Sequence, residues 1–221
     1  MFLLFKTSLL AFSALLPVIN PLGSALLFLG AVGDAPPRVF RNLARRVALS
    51  TILFLLIVEF AGSQLLSFFE ISLPVVQLAG GFVLAAMGWQ LLNGDKNEKR
   101  AEESAPVVSE GQSFEQKVFY PLTFPLTAGP GCIAVDITLS AHASRNSAVE
   151  ALLGHLGIVM AIVAIGAAVF LSYGNAPKIT RRISPKTVEG ILRVIAFVLL
   201  CIGVQIALNG SQAILNAARS R

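Results

Sequence analysis

Six apolar runs fill most of this chain, each long enough to cross a bilayer, and short polar blocks separate them. They cover about Ser8 to Val32, Val47 to Phe69, Leu73 to Asn93, Val118 to His142, Ala151 to Tyr173 and Gly190 to Asn209. A run of about 20 apolar residues crosses the hydrocarbon core as a helix, because each backbone group must find its partner within the segment. Only 13% of the 221 residues are charged. A soluble domain carries roughly a quarter and needs them to face water. That excludes an ordinary soluble enzyme, a disordered chain and a disulfide scaffold. The sequence predicts an all-α polytopic membrane protein with six transmembrane helices. Met1 to Leu16 reads as the start of the first span rather than a cleaved signal. Lys6 is its lone basic residue, and no small-x-small cleavage site leads into a polar mature start.

The net charge of +5 does not point to nucleic acid, because the charges lie in blocks between the apolar runs. Such blocks set topology. Arg38, Arg41, Arg45 and Arg46 follow the first run, and Lys96, Lys99, Arg100 and Lys117 follow the third. Lys178, Arg181, Arg182 and Lys186 follow the fifth. These twelve oppose four on the other side, Lys6, Arg145, Arg219 and Arg221. The positive-inside rule then predicts cytoplasmic loops after spans one, three and five, with both termini outside. Residues 94–117 are polar, rich in charge, Ser and Gly, and lack an apolar period. They read as a flexible cytoplasmic linker between two three-span units, 1–93 and 118–221.

The two units resemble each other. Phe82-Val83-Leu84, Gly88 and Gln90 in span three match Phe197-Val198-Leu199, Gly203 and Gln205 in span six, an offset of 115. Leu16 to Gly23 in span one matches Phe124 to Gly131 in span four, an offset of 108. An odd number of spans per copy makes the second copy enter from the opposite side. The expectation is therefore two inverted three-helix repeats, an arrangement found in secondary transporters, whose broken helices build a binding site near mid-membrane.

Spans one and four are the broken ones. Pro17, Asn20, Pro21 and Gly23 interrupt the first; Pro121, Pro125, Gly129, Pro130 and Gly131 interrupt the fourth. Proline removes a backbone donor and frees a carbonyl, which lipid cannot satisfy. Half-helix N-termini attract anionic groups. The candidate substrate site is Asn20, Pro21, Gly23 and Ser24 with Thr127, Ala128, Gly129, Pro130 and Gly131; Cys132 beside it is the repeat counterpart of Ser24. The plain alternative is a pair of packing kinks. Two intramembrane carboxyls, Glu59 near the middle of span two and Asp136 towards the outer half of span four, are candidate proton sites or packing groups. Glu59 is expected to approach the breaks. His155 reads as an interfacial or capping residue, and Trp89 as an interfacial anchor. Cys132 and Cys201 do not occupy matching places, so a thiol carrier is not expected. His and Cys are too few and too scattered for a metal set. No nucleophile–base pair or phosphate loop is visible, so neither an enzyme nor a bound cofactor is expected.

Asn20-Pro21-Leu22-Gly23, Ala128-Gly129-Pro130-Gly131 and six spans in about 220 residues together resemble the MarC family of bacterial inner-membrane proteins. The resemblance covers nearly the whole chain. It implies a six-span integral protein of the bacterial inner membrane, surrounded by lipid, with a distant similarity to LysE-type exporters of amino acids and other small metabolites. The expected function is a secondary transporter or exporter of a small polar metabolite. The alternative is a non-transporting scaffold or a subunit of an envelope complex.

Overall fold

The computed structural model describes residues 2–33, 35–93, 118–144, 147–178 and 185–219, and among them it is all-helical. The elements in order are α1 (Phe2–Ile19), α2 (Pro21–Val32), α3 (Pro37–Phe68), α4 (Leu73–Leu92), an irregular α5 (Val118–Thr127), α6 (Pro130–Ala143), α7 (Ala148–Gly174) and α8 (Pro185–Arg219). Five helical stretches are long and apolar enough to cross a membrane: Phe2–Val32, α3, α4, α7 and Gly190–Arg219. The pair α5 and α6, bent by 71°, adds a sixth if it counts as one span. The linker expected over 94–117 lies outside the described residues.

Helix α3 begins at Pro37, ten residues before the span read from hydropathy. Its first turns alternate exposed Arg38, Arg41 and Arg45 with buried Phe40, Leu43 and Ala44. That is an amphipathic helix whose arginines cancel its hydropathy in a sliding window. Proline at its first position costs nothing there, because that N–H has no helical partner anyway.

Helix α7 is the hub. Ile158, Ala161, Ile162, Ile165, Val169 and Tyr173 are all fully buried along it, as expected of a helix that is apolar all round. It runs antiparallel to α3. A Cβ built on Gly174 would lie 3.9 Å from the Ala44 Cβ, one on Gly166 would lie 3.6 Å from the Ala48 carbonyl, and His155 meets Glu59 at the other end.

Helices α4 and α8 touch through glycines. A Cβ on Gly88 would fall 2.5 Å from the Leu200 nitrogen and 2.8 Å from the Ala196 carbonyl. One on Gly203 would fall against the Ala85 nitrogen and 2.7 Å from the Gly81 carbonyl. Subtracting the offset of 115 turns Gly203, Leu200 and Ala196 into Gly88, Ala85 and Gly81, so the contact is reciprocal. Partners of Gly88 are numbered lower in α8 than those of Gly81, which are Gly203 and Ala207. The two helices are therefore antiparallel. Phe82 and Phe197, the other matched pair, are both exposed. Small residues let backbones approach this closely in lipid, where there is no hydrophobic force between helices.

Candidate functional site

The first break is one residue wide. Asn20 takes a left-handed conformation at φ 45°, ψ 63°, which asparagine tolerates better than most residues. Its Oδ1 accepts from the Gly23 N–H at 3.1 Å and caps α2. That diverts the Gly23 donor from the Ile19 carbonyl, and Ser24 Oγ donates to this carbonyl instead at 2.9 Å. The backbone ladder continues on either side, from Asn20 N–H to Leu16 and from Ser24 N–H to Asn20, both at 2.9 Å.

The second break is wider. Tyr120 and Phe124 are extended, at φ −119°, ψ 123° and φ −119°, ψ 127°, and each precedes a proline, which pushes its neighbour out of the helical region. Thr123 Oγ1 donates to the Val118 carbonyl at 2.8 Å and Thr127 Oγ1 to the Leu122 carbonyl at 2.6 Å. All three hydroxyls thus reach back five residues to a carbonyl of their own segment. Ser and Thr side chains are a known means of closing broken backbone in a membrane. The Ile19, Val118 and Leu122 oxygens are thus taken within their own spans.

The two breaks do meet. Ser24 Oγ lies 3.5 Å from the Leu126 carbonyl, and a Cβ on Gly131 would lie 3.5 Å from Val18 Cγ1. Pro21, Gly23, Ser24, Thr127, Ala128, Gly129 and Gly131 are buried, Asn20 is half-buried and Pro130 is exposed. Tyr173 of α7 clamps both sides. Its ring stacks on Phe28 of α2 at 4.5 Å, and its hydroxyl lies 2.7 Å from Thr127 Oγ1. Since the single Thr127 proton goes to Leu122, Tyr173 is the donor. The sequence carried a signal for this residue, because a tyrosine inside an apolar run needs a partner for its hydroxyl.

Thr127→Val removes both side-chain bonds, the one to the Leu122 carbonyl and the one from the Tyr173 hydroxyl. A loss of about 1–3 kcal/mol follows. Tyr173→Phe leaves the Thr127–Leu122 bond intact and should cost less. Once Thr127 is Val, replacing Tyr173 should cost nothing more or even recover stability. Thermal unfolding of the two single variants and the double variant in detergent checks this; equal costs that simply add would contradict the chain of bonds.

The carboxyls occupy a different level. Glu59 is buried, and its Oε1 lies 2.6 Å from His155 Nδ1. Its backbone carbonyl accepts from Ser140 Oγ at 3.0 Å. His155 Nε2 lies 3.1 Å from Ser144 Oγ at the end of α6. His155 is therefore the partner of an intramembrane carboxyl, not an interfacial or capping residue. It precedes Tyr173 by eighteen residues, about 27 Å along a helix. Glu59 therefore lies well away from the Tyr173–Thr127 contact. Asp136 lies between the two levels and is fully buried rather than reaching an interface. Cys132 is buried and Cys201 exposed, both as free thiols.

The long apolar helices agree with a comparison to known families. The model of the MarC family, described as integral membrane proteins, matches residues 5–215. The chain belongs to the MarC family. Inner membrane protein MarC of Citrobacter koseri is 28% identical over 212 residues, covering 94% of this chain and 95% of that one. The protein of the same name from Escherichia coli strain K12 is 30% identical over 215 residues, with the same two coverages. No solved structure matches. This MarC-family chain is an integral inner-membrane protein with several membrane-spanning helices.

Proposed function

We propose that this MarC-family chain is a secondary transporter that exports a small polar metabolite, held between the breaks of the first and fourth spans. The observation that carries the reading is the contact of the two breaks, Ser24 against Leu126 and Gly131 against Val18. Broken helices that meet at depth are where secondary transporters place their substrates. The N-termini of α2 and α6 both begin there and favour an anionic group. The architecture in this reading is two inverted three-helix repeats, six spans in all. The reciprocal antiparallel contact of Gly88 and Gly203 supports it, since a twofold axis makes each residue of a pair meet the counterpart of the other. Proton coupling through Glu59 completes the proposal. Untargeted profiling of the medium of cells with and without the protein tests it. At least one small polar metabolite is expected to accumulate outside only when the protein is present, and an unchanged medium argues against export.

A non-transporting scaffold or envelope subunit is the second reading. What favours it is that three hydroxyls close the broken ladder without any ligand.

The twelve-to-four distribution of Lys and Arg supports outer termini and a cytoplasmic 94–117 segment. Single cysteines at Ser109 and Ser220, with Cys132 and Cys201 replaced, report this through an impermeant thiol reagent on intact cells. Labelling at Ser220 alone is expected; labelling at Ser109 alone would reverse the orientation.

A further inference from the structure

Among the described residues, four buried side-chain oxygens lack a hydrogen-bond partner: Thr51 Oγ1, Glu59 Oε2 and both oxygens of Asp136. The carboxyl oxygens do not scatter; Thr51 stands apart, about 12 Å along α3 from Glu59. Asp136 heads a stripe on α6 with Ser140 and Ala143, spaced four and three residues apart. Ser140 bonds to the Glu59 carbonyl, and Ala143 packs where a Cβ on Gly154 of α7 would fall. The Asp136 side chain therefore points into the junction of α6 with α3 and α7. Ser140, one turn beyond Asp136 on α6, is bonded to the Glu59 backbone, so the two carboxyls belong to the same junction. An unpartnered carboxylate in a bundle interior is costly and signals a bound cation or a path for one.

The junction also has a way out. Glu59 Oε1 touches His155 Nδ1, the His155 side chain is 24% exposed, and its other nitrogen meets the hydroxyl of exposed Ser144. In the opposite direction, Asp136 is five residues past Gly131, about 7.5 Å along α6 from the break. We propose that Ser144, His155, Glu59 and Asp136 form a proton route from the membrane face at the α6–α7 turn to the break ahead of α6.

Each step moves one proton. His155 rests with its proton on Nε2, because Ser144 Oγ gives its own proton to the Ser140 carbonyl and so accepts from Nε2. Protonated Glu59 passes the proton on Oε1 to Nδ1 while Nε2 releases its proton to water at Ser144, and Asp136 hands a proton to Glu59 Oε2. The net change is one proton from Asp136 to the aqueous face, each step runs equally in reverse, and the imidazole ends as the other tautomer until its ring nitrogens exchange protons with water. Histidine suits this step because its two nitrogens accept on one side and donate on the other. Among the described residues, the other titratable group beside the route is the buried thiol of Cys132, one turn before Asp136 on α6. Helix α4 contributes none against α6, Lys6 of α1 and Glu150 of α7 are exposed, and His142 of α6 is exposed and bonded to the Thr138 carbonyl. The arginines of α3 start thirteen residues from Glu59, about 20 Å away, and Tyr173 is at the far end of α7.

The route deepens the coupling part of the proposed function, and its test does not depend on transport. The purified protein in lipid nanodiscs is followed by infrared difference spectroscopy in the carboxylic-acid C=O region, with exchange into heavy water. A protonated-carboxyl band is expected in the wild type, and one component of it should vanish in Asp136→Asn. In His155→Gln the same band should remain while its deuterium shift slows by about tenfold or more. Glu59→Gln interrupts the route one step further in and should slow the shift equally, which keeps the test valid if His155→Gln misfolds. A wild type without the band, a band untouched by Asp136→Asn, or exchange as fast in both route variants as in wild type would overturn the proposal. Normal exchange behaviour in a protein that moves no metabolite would leave the route standing and remove only the transporter reading.

Discussion

Gly88→Ala and Gly203→Ala should each destabilise the protein by about 1–3 kcal/mol, the range for overfilling a packed contact. The reason is what the new methyl meets. At Gly88 it runs into the Leu200 nitrogen at 2.5 Å and the Ala196 carbonyl at 2.8 Å; at Gly203 it meets the Ala85 nitrogen and the Gly81 carbonyl at 2.7 Å. These are backbone atoms, which cannot rotate aside, so α4 and α8 must separate. In lipid that separation forfeits dispersion contacts that no hydrophobic force replaces. A shift of roughly 2–4 °C in Tm per kcal/mol is expected for a chain of this length. The two variants should lose nearly the same amount, because their surroundings are counterparts. Gly30→Ala is the control: its Cβ would meet nothing within 4 Å, and the helix gains about 0.5–1 kcal/mol of propensity. Thermal unfolding in nanodiscs compares the three. Losses confined to one of the two contact glycines would show that the contact is not reciprocal in energy.

The spans were legible because a bilayer demands long apolar runs, and Leu73 to Asn93 was placed almost to the residue. The breaks were legible too, since Pro17, Pro21, Pro125 and Gly129 mark places where a helix ladder cannot be regular. How the breaks close was not. Ser24 and Thr127 were read as side chains offered to a substrate, whereas their hydroxyls serve their own backbone, which depends on local dihedrals that composition does not reveal. The start of α3 was hidden by arginines spaced along an amphipathic face. The Glu59–His155 pair joins residues 96 apart in sequence. Depth alone hinted at it, for both lie a few turns from the ends of neighbouring spans. Helix rotation decides the contact, and rotation follows from packing at positions such as Gly166 and Gly174.

Gly131→Leu is expected to lower metabolite export at least tenfold, which corresponds to about 1.4 kcal/mol in the barrier. A Cβ there already meets Leu84 Cγ at 2.8 Å and Val18 Cγ1 at 3.5 Å. Three further carbons have no room except between α1, α4 and the start of α6. That is the space between the breaks, so the substitution fills the proposed site while leaving the carboxyl level untouched. Gly30→Leu adds the same bulk on the exposed face of α2 and should export as wild type. If Gly131→Leu inserts at normal levels and exports at the wild-type rate, the breaks are packing kinks and the second reading gains the ground.

Efflux from reconstituted vesicles tests the meeting of the breaks as a substrate site most directly. Vesicles loaded with a polar metabolite extract of cells, with purified wild type, Gly131→Leu or no protein in the membrane, are followed by mass spectrometry of the external buffer. The account predicts that a small set of polar metabolites leaves wild-type vesicles faster than protein-free ones, and that Gly131→Leu returns their efflux to the protein-free rate. Efflux that is the same in all three preparations, or that Gly131→Leu supports as well as wild type, would contradict it.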